Sequence, residues 1–242
     1  MTASNPAAPR AADLRRIASL LQAEHEIKPP VLSEDPLGEL VATILSQHTS
    51  DTNSQRAYTA LRRRFPRWSE VLAAGVAQVA AAIRSGGLAN QKAPRIQAML
   101  RAAPVGPDGE PSLDHLRELG PTAAYEYLQG FDGVGPKTAA CTLLFAYGWP
   151  VFPVDTHVHR VTKRLGWVGP RDTAEKAQAR LMALVPAEAT YDLHMGLVRH
   201  GRRVCRPTNP DCEGCEIRPW CKVGPQVGGR TAGKRRSRRE KG

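Results

Sequence analysis

Cys205, Cys212, Cys215 and Cys221 form a C-x6-C-x2-C-x5-C run near the C-terminus. Short loops bearing Pro and Gly, Arg206-Pro207-Thr208-Asn209-Pro210 and Glu213-Gly214, let four thiolates converge on one tetrahedral centre. Such a centre is zinc or the corners of an iron–sulfur cube. Disulfides are the bland alternative. No signal peptide is read at the start, the fifth cysteine, Cys141, lies far off in an apolar stretch, and a cytosolic chain keeps its thiols reduced. The run differs from the paired C-x2-C zinc pattern, which leaves the cluster ahead of zinc without deciding between them.

Two more side chains could do chemistry. Lys137 follows Gly133-Val134-Gly135-Pro136. The two glycines let the backbone approach a ligand closely, and exposed N–H groups next to a helix start suit a phosphate oxygen. Pro136 at the first helical position puts Lys137 in the first turn. An ordinary lysine, with pKa near 10.4, is neutral less than about 0.1% of the time near neutral pH and is a poor nucleophile. A helix N-terminus disfavours a cation, and partial burial works the same way, so a reactive amine could be made there. A lysine that only touches phosphate is the competing reading. Asp155 sits in Val154-Asp155-Thr156-His157, ahead of the stripe Val158, Val161, Leu165. Its simplest role is an N-cap; beside Lys137 it would instead be a fixed anion facing a developing cation.

The elements that must position these groups read as helices. Apolar residues recur at helical spacing in Leu37, Leu40, Val41, Ile44, Leu45, in Ala57, Tyr58, Leu61, Phe65, and in Ala139, Ala140, Leu143, Leu144, Tyr147. Pro66, Gly86-Gly87, Pro104-Val105-Gly106-Pro107, Gly120-Pro121 and Gly148 punctuate them, and Val151-Phe152-Pro153-Val154 is too short and Pro-broken for a core strand. Tyr125 to Tyr147 reads as helix, tight turn, helix. After a short tail, the repeat Leu14, Ile17, Leu20, Leu21 predicts an N-terminal helix rather than a transit peptide. The fold class is all-α.

The 242 residues carry a net charge of +11. Seven basic side chains between residues 224 and 242, against Glu240, supply +6 of it, leaving +5 for the rest. The balance suits a partner with a phosphate backbone, and the tail is either a solvated segment or a nonspecific tether. No apolar run reaches the roughly 18 residues that span a bilayer.

Taken jointly, Gly133-Val134-Gly135-Pro136-Lys137-Thr138-Ala139, Val154-Asp155-Thr156-His157 and the cysteine run closely resemble the endonuclease III family of DNA glycosylases. The similarity covers roughly Leu32 to Cys221. It implies a helix-hairpin-helix fold of two helical lobes with a C-terminal [4Fe–4S] cluster loop held by Cys205, Cys212, Cys215 and Cys221. It also implies catalytic roles for Lys137 and Asp155, in a bifunctional glycosylase and AP lyase of base excision repair acting on oxidised pyrimidines. Expected DNA contacts are Gly133, Val134, Gly135, Thr138, Gln47, His48, Leu88 and Arg206, with Ser46 and His157 lining the base pocket. His48 stands where the family usually has glutamine, and Asp132 where it commonly has proline. Leu88 would act as an apolar wedge between bases.

The expected segments are 1–27 as tail and helix on the cluster lobe, 28–148 as the central domain with the hairpin, 149–223 as the cluster lobe and 224–242 as a disordered basic tail, with a cleft for the extruded base. The expected partner is duplex DNA carrying damaged pyrimidines or abasic sites, bound by a cytoplasmic, nucleoid-associated monomer with no membrane segment. The competing readings are a monofunctional mismatch or alkylated-base glycosylase and a noncatalytic DNA-binding module.

Overall fold

A computed structural model of the chain describes residues 8–224. Among these there are eleven α-helices: α1 Ala11–His25, α2 Pro36–Ser46, α3 Asp51–Arg64, α4 Trp68–Ala73, α5 Val76–Ala82, α6 Ala89–Ala102, α7 Leu116–Gln129, α8 Pro136–Tyr147, α9 Thr156–Leu165, α10 Ala174–Leu184 and α11 Thr190–Arg203. The one extended pairing described, an isolated bridge from Val105 to Pro111, closes a loop. The all-helical expectation holds. The basic tail beyond Gly224 lies outside the described residues.

Local chemistry sets the helix ends. The Asp35 carboxylate accepts from Gly38 N (2.8 Å) with Pro36 at the first position of α2. Ser50 and Thr173 cap α3 and α10 in the same way, each satisfying a backbone donor that has no partner inside the helix. At the other end of α8, Gly148 takes φ +68°, the left-handed conformation that closes a helix most cheaply when no Cβ is present. Gly120, at φ +75° ahead of Pro121, kinks α7.

The chain divides into two compact units. One is Pro30–Pro153 and contains α2 to α8; the other joins the N-terminal segment through residue 29 to the chain from Val154 onward and contains α1, α9, α10 and α11. In the first, α2 packs on α3 and α8, α7 on α8 and α5 on α6, burying Leu40, Val41, Leu45, Leu61, Leu143 and Ile96. In the second, α11 packs on α1 and α9 around Leu14, Leu21, Val158, Leu193 and Leu197. Gly196 makes this closeness feasible, because a Cβ there would fall 2.7 Å from the Leu21 Cβ.

Candidate functional site

Within the Pro30–Pro153 unit, the chain leaves α7 at Gln129, turns through residues 130–135 and enters α8 at Pro136. Gly133 holds φ +78°, a conformation that favours glycine, whereas Gly135 is extended (φ −88°, ψ 179°). The two glycines thus serve different ends. A Cβ at Gly135 would meet nothing within 4 Å, so its missing side chain leaves the backbone open to a visitor. Val134 points its side chain inward, 4% exposed, so what it offers a ligand is backbone. Thr138 is also buried, and its Oγ1 accepts from Gln47 Nε2 at 3.2 Å. The same amide donates to Gly133 O at 3.3 Å, so Gln47 ties the end of α2 to the hairpin. Arg95, which sequence reasoning did not single out, lays its side chain along Gly133, 3.3 Å from where a Cβ would stand. Lys137 is in the first turn of α8, partly buried.

Two loops of this unit carry non-glycine residues in left-handed conformation: His48 at φ +55° and Leu88 at φ +50°. Both are exposed, Leu88 to 47%, which marks backbone held in place by something else. What holds it is Lys92. Its side chain is buried, and its Nζ donates to Leu45 O (2.8 Å), Gln47 O (2.7 Å) and Gly86 O (2.8 Å). Burial lowers this amine's pKa, and the three carbonyls compensate by taking all its protons. One ammonium therefore fixes the start of both loops. Ser46 spends its hydroxyl on Thr43 O at 2.8 Å. Lys92→Met is expected to leave those carbonyls unpaired, costing about 3 kcal/mol and lowering the melting temperature by about 6–12 °C, read by thermal denaturation.

In the other unit, Asp155 caps α9, its Oδ1 accepting from Val158 N at 2.7 Å. His157, two residues on, lies against α11: a Cβ at Gly201 would be 2.9 Å from His157 Cβ, and His157 Nδ1 is 3.2 Å from Arg160 Nη2. Arg160 also donates to Gly201 O (2.7 Å) and Cys205 O (3.1 Å).

Cys205, Cys212, Cys215 and Cys221 all line one cavity of about 180 Å³, whose wall also includes apolar Val161, Leu165 and Ile217 and polar Arg164, His200, Asp211 and Arg218. None is in a disulfide. Donors are aimed at the sulfurs: Arg164 Nη1 reaches Cys205 Sγ and Gly224 N reaches Cys221 Sγ, each at 3.2 Å, and His200 Nε2 is 3.6 Å from Cys215 Sγ. Arg164 also gathers the loop by donating to Arg206 O (2.7 Å) and Pro207 O (3.0 Å). Arg206 itself is exposed, its guanidinium donating to Asn209 O at 3.2 Å. Burial pushes the Cys215 thiol up to about 12 and Cys212 upward too, a cost that a bound metal's positive charge would offset. Four sulfurs around an apolar hollow with N–H donors are a fitting Cys₄ metal cradle.

Residues 41–187 match the family of HhH-GPD superfamily base excision DNA repair proteins. Endonuclease III of Thermotoga maritima is 35% identical over 187 residues, covering 77% of this chain and 83% of that protein. The chain belongs to the endonuclease III family. A candidate DNA glycosylase of Arabidopsis thaliana is 38% identical over 190 residues, covering 78% of this chain, which spans 63% of that relative's length. A trapped endonuclease III–DNA covalent intermediate superposes with TM-score 0.73 at 26% identity, covering 90% of this chain and 98% of that one. The family match takes in Gln47, Lys92, Lys137 and Asp155 and stops short of Cys205. The metal cradle therefore rests on its own geometry within this endonuclease III relative.

Proposed function

We propose that this protein is a bifunctional DNA glycosylase/AP lyase of base excision repair that releases oxidised pyrimidines from duplex DNA and nicks the resulting abasic strand. The observation that carries the reading is Lys137 in the first turn of α8, directly after an open Gly133-Val134-Gly135 backbone. A phosphate on that turn brings the sugar of a neighbouring nucleotide toward the amine. The relationship to an endonuclease III caught as a covalent DNA intermediate supports the same chemistry.

The target base leaves the stack, with Leu88 as an apolar wedge and Gln47 and His48 filling the space behind it. As the bond from C1′ to the base stretches, positive charge grows on the sugar, and the Asp155 carboxylate stabilises it. The Lys137 Nζ forms a bond to C1′, the bonding pair to the base departs with the pyrimidine, and the proton lost from nitrogen balances the one the base takes up. The adduct opens to an iminium ion as the C1′–O4′ bond breaks and O4′ takes a proton. Loss of a C2′ proton then expels the 3′ phosphate by β-elimination, and water returns the amine.

Cys205, Cys212, Cys215 and Cys221 would hold a [4Fe–4S] cluster, which supplies order to the C-terminal loop rather than a redox step. Arg206, exposed on that loop, is assigned to a phosphate. The reading takes the protein as a monomer acting on nucleoid DNA. No described helix is long and apolar enough to cross a membrane.

A panel of duplexes containing thymine glycol, dihydrouracil, uracil opposite guanine and an abasic site, assayed with and without strand scission, tests this reading. The expected result is release and nicking at the two oxidised pyrimidines and nicking at the abasic site. Base release from the uracil mispair alone, without nicking, would establish a monofunctional mismatch enzyme instead. Salt-sensitive binding with no base release would leave a noncatalytic module.

A further inference from the structure

Behind the cysteine loop, three buried polar atoms converge without a hydrogen bond among them. Glu24 Oε2 lies 3.3 Å from His25 Nε2 and 3.5 Å from His200 Nδ1, and all three atoms are within 4.8 Å of one another. His25 is 4% exposed and His200 1%. None of the three atoms has a hydrogen-bond partner. Buried polar atoms are almost always satisfied, so three orphans at one point call for something between them.

The His200 ring limits what that something is. Its Nε2 faces Cys215 Sγ at 3.6 Å. Its other nitrogen, Nδ1, is the unpartnered atom that faces Glu24. A ligating histidine whose other nitrogen donates to an anion is the usual arrangement behind a metal. Burial and the nearby Glu216 raise the Glu24 carboxyl, and burial lowers His25, so both groups favour a neutralising cation over a charged pair without one. The backbone adds to this. Glu24 and His25 end α1, and His200 is in the last turn of α11, so the negative ends of two helices meet at the same place. Two cations stand near His25, Arg203 and Arg199, and Arg199 is bound to His25 O (2.7 Å) and Glu26 O (3.3 Å).

We propose that Glu24, His25 and His200 form a second metal site, taking one divalent ion of the zinc class through two imidazole nitrogens and a carboxylate oxygen. Zinc bonds of about 2.0–2.1 Å in a tetrahedron set ligand atoms about 3.4 Å apart, which is the spacing of Glu24 from each histidine. The third edge, between the two histidine nitrogens, is at most 4.8 Å. Water or a substrate oxygen takes the fourth position. The site draws nothing from the DNA reading, and its role is to join α1 to α11 beside the cysteine loop.

The full-length protein, with its iron content measured, is equilibrated with zinc sulfate, dialysed and assayed for retained zinc by elemental analysis. The expected result is about one zinc per chain with iron unchanged, falling at least tenfold in Glu24→Gln and in His25→Gln. Zinc-edge X-ray absorption on the unsubstituted protein needs no variant to fold, and it should show nitrogen and oxygen neighbours only. A sulfur shell at about 2.3 Å would place the zinc in the cysteine cradle and overturn the site. So would no retained zinc, or equal retention in both variants, leaving a cluster in which Glu24 shares a proton with the histidines.

Discussion

Lys137→Ala is expected to leave a folded protein that binds abasic-site duplex about as well as the unsubstituted chain and nicks it at least about a thousandfold more slowly, a loss on the order of 4 kcal/mol of barrier lowering. Stability should hold, because the side chain is only partly buried and a cation in the first turn of α8 opposes the helix dipole rather than supporting it. Binding should hold because Gly133, Gly135 and Thr138 keep their conformations through Gln47, which touches none of the lysine's atoms in its bonds to Gly133 O and Thr138 Oγ1. The loss should therefore appear in kcat with KM nearly constant, the pattern of an interaction made only in the transition state. A fall in affinity with unchanged kcat would instead make Lys137 a phosphate contact.

Asp155 allows its two roles to be separated by choice of substitution. Asp155→Asn keeps an oxygen to accept from Val158 N, and asparagine caps as well as aspartate, so unfolding stability should move by only a few tenths of a kcal/mol. The negative charge is gone, however, and base release should slow by about 10²–10³. Asp155→Ala removes both features and should add about 1 kcal/mol of destabilisation from the lost cap. Chemical denaturation and single-turnover base release on the three proteins check this. If the asparagine variant kept full activity and only the alanine variant lost it, Asp155 would be a cap and nothing more.

Much of this was legible in the sequence because it depends on neighbours along the chain. The Asp155 cap and Pro136 at the head of α8 follow from residue types at fixed spacing, and the structure places both of them so. Gly135 leaves its backbone open to a ligand as its residue type suggested, and does so from an extended conformation. What the sequence did not disclose requires approach between elements. Lys92 reads as an ordinary helix lysine until Leu45, Gln47 and Gly86 bring three carbonyls to it, though its place beside Ala93 and Ile96 on a buried face was a signal. Arg95 joins the hairpin only through the packing beneath Gly133. Glu24 and His25 meet His200 because α1 packs on α11, and no local pattern announces a contact between residues so far apart in the chain.

The central claim is that one lysine amine becomes covalently joined to the sugar. Borohydride reduction of the protein with abasic-site duplex, followed by peptide mapping of the trapped complex, tests it most directly. The account expects a stable adduct on Lys137 that disappears in Lys137→Ala. An adduct on another residue, or active nicking with no adduct at all, would contradict it.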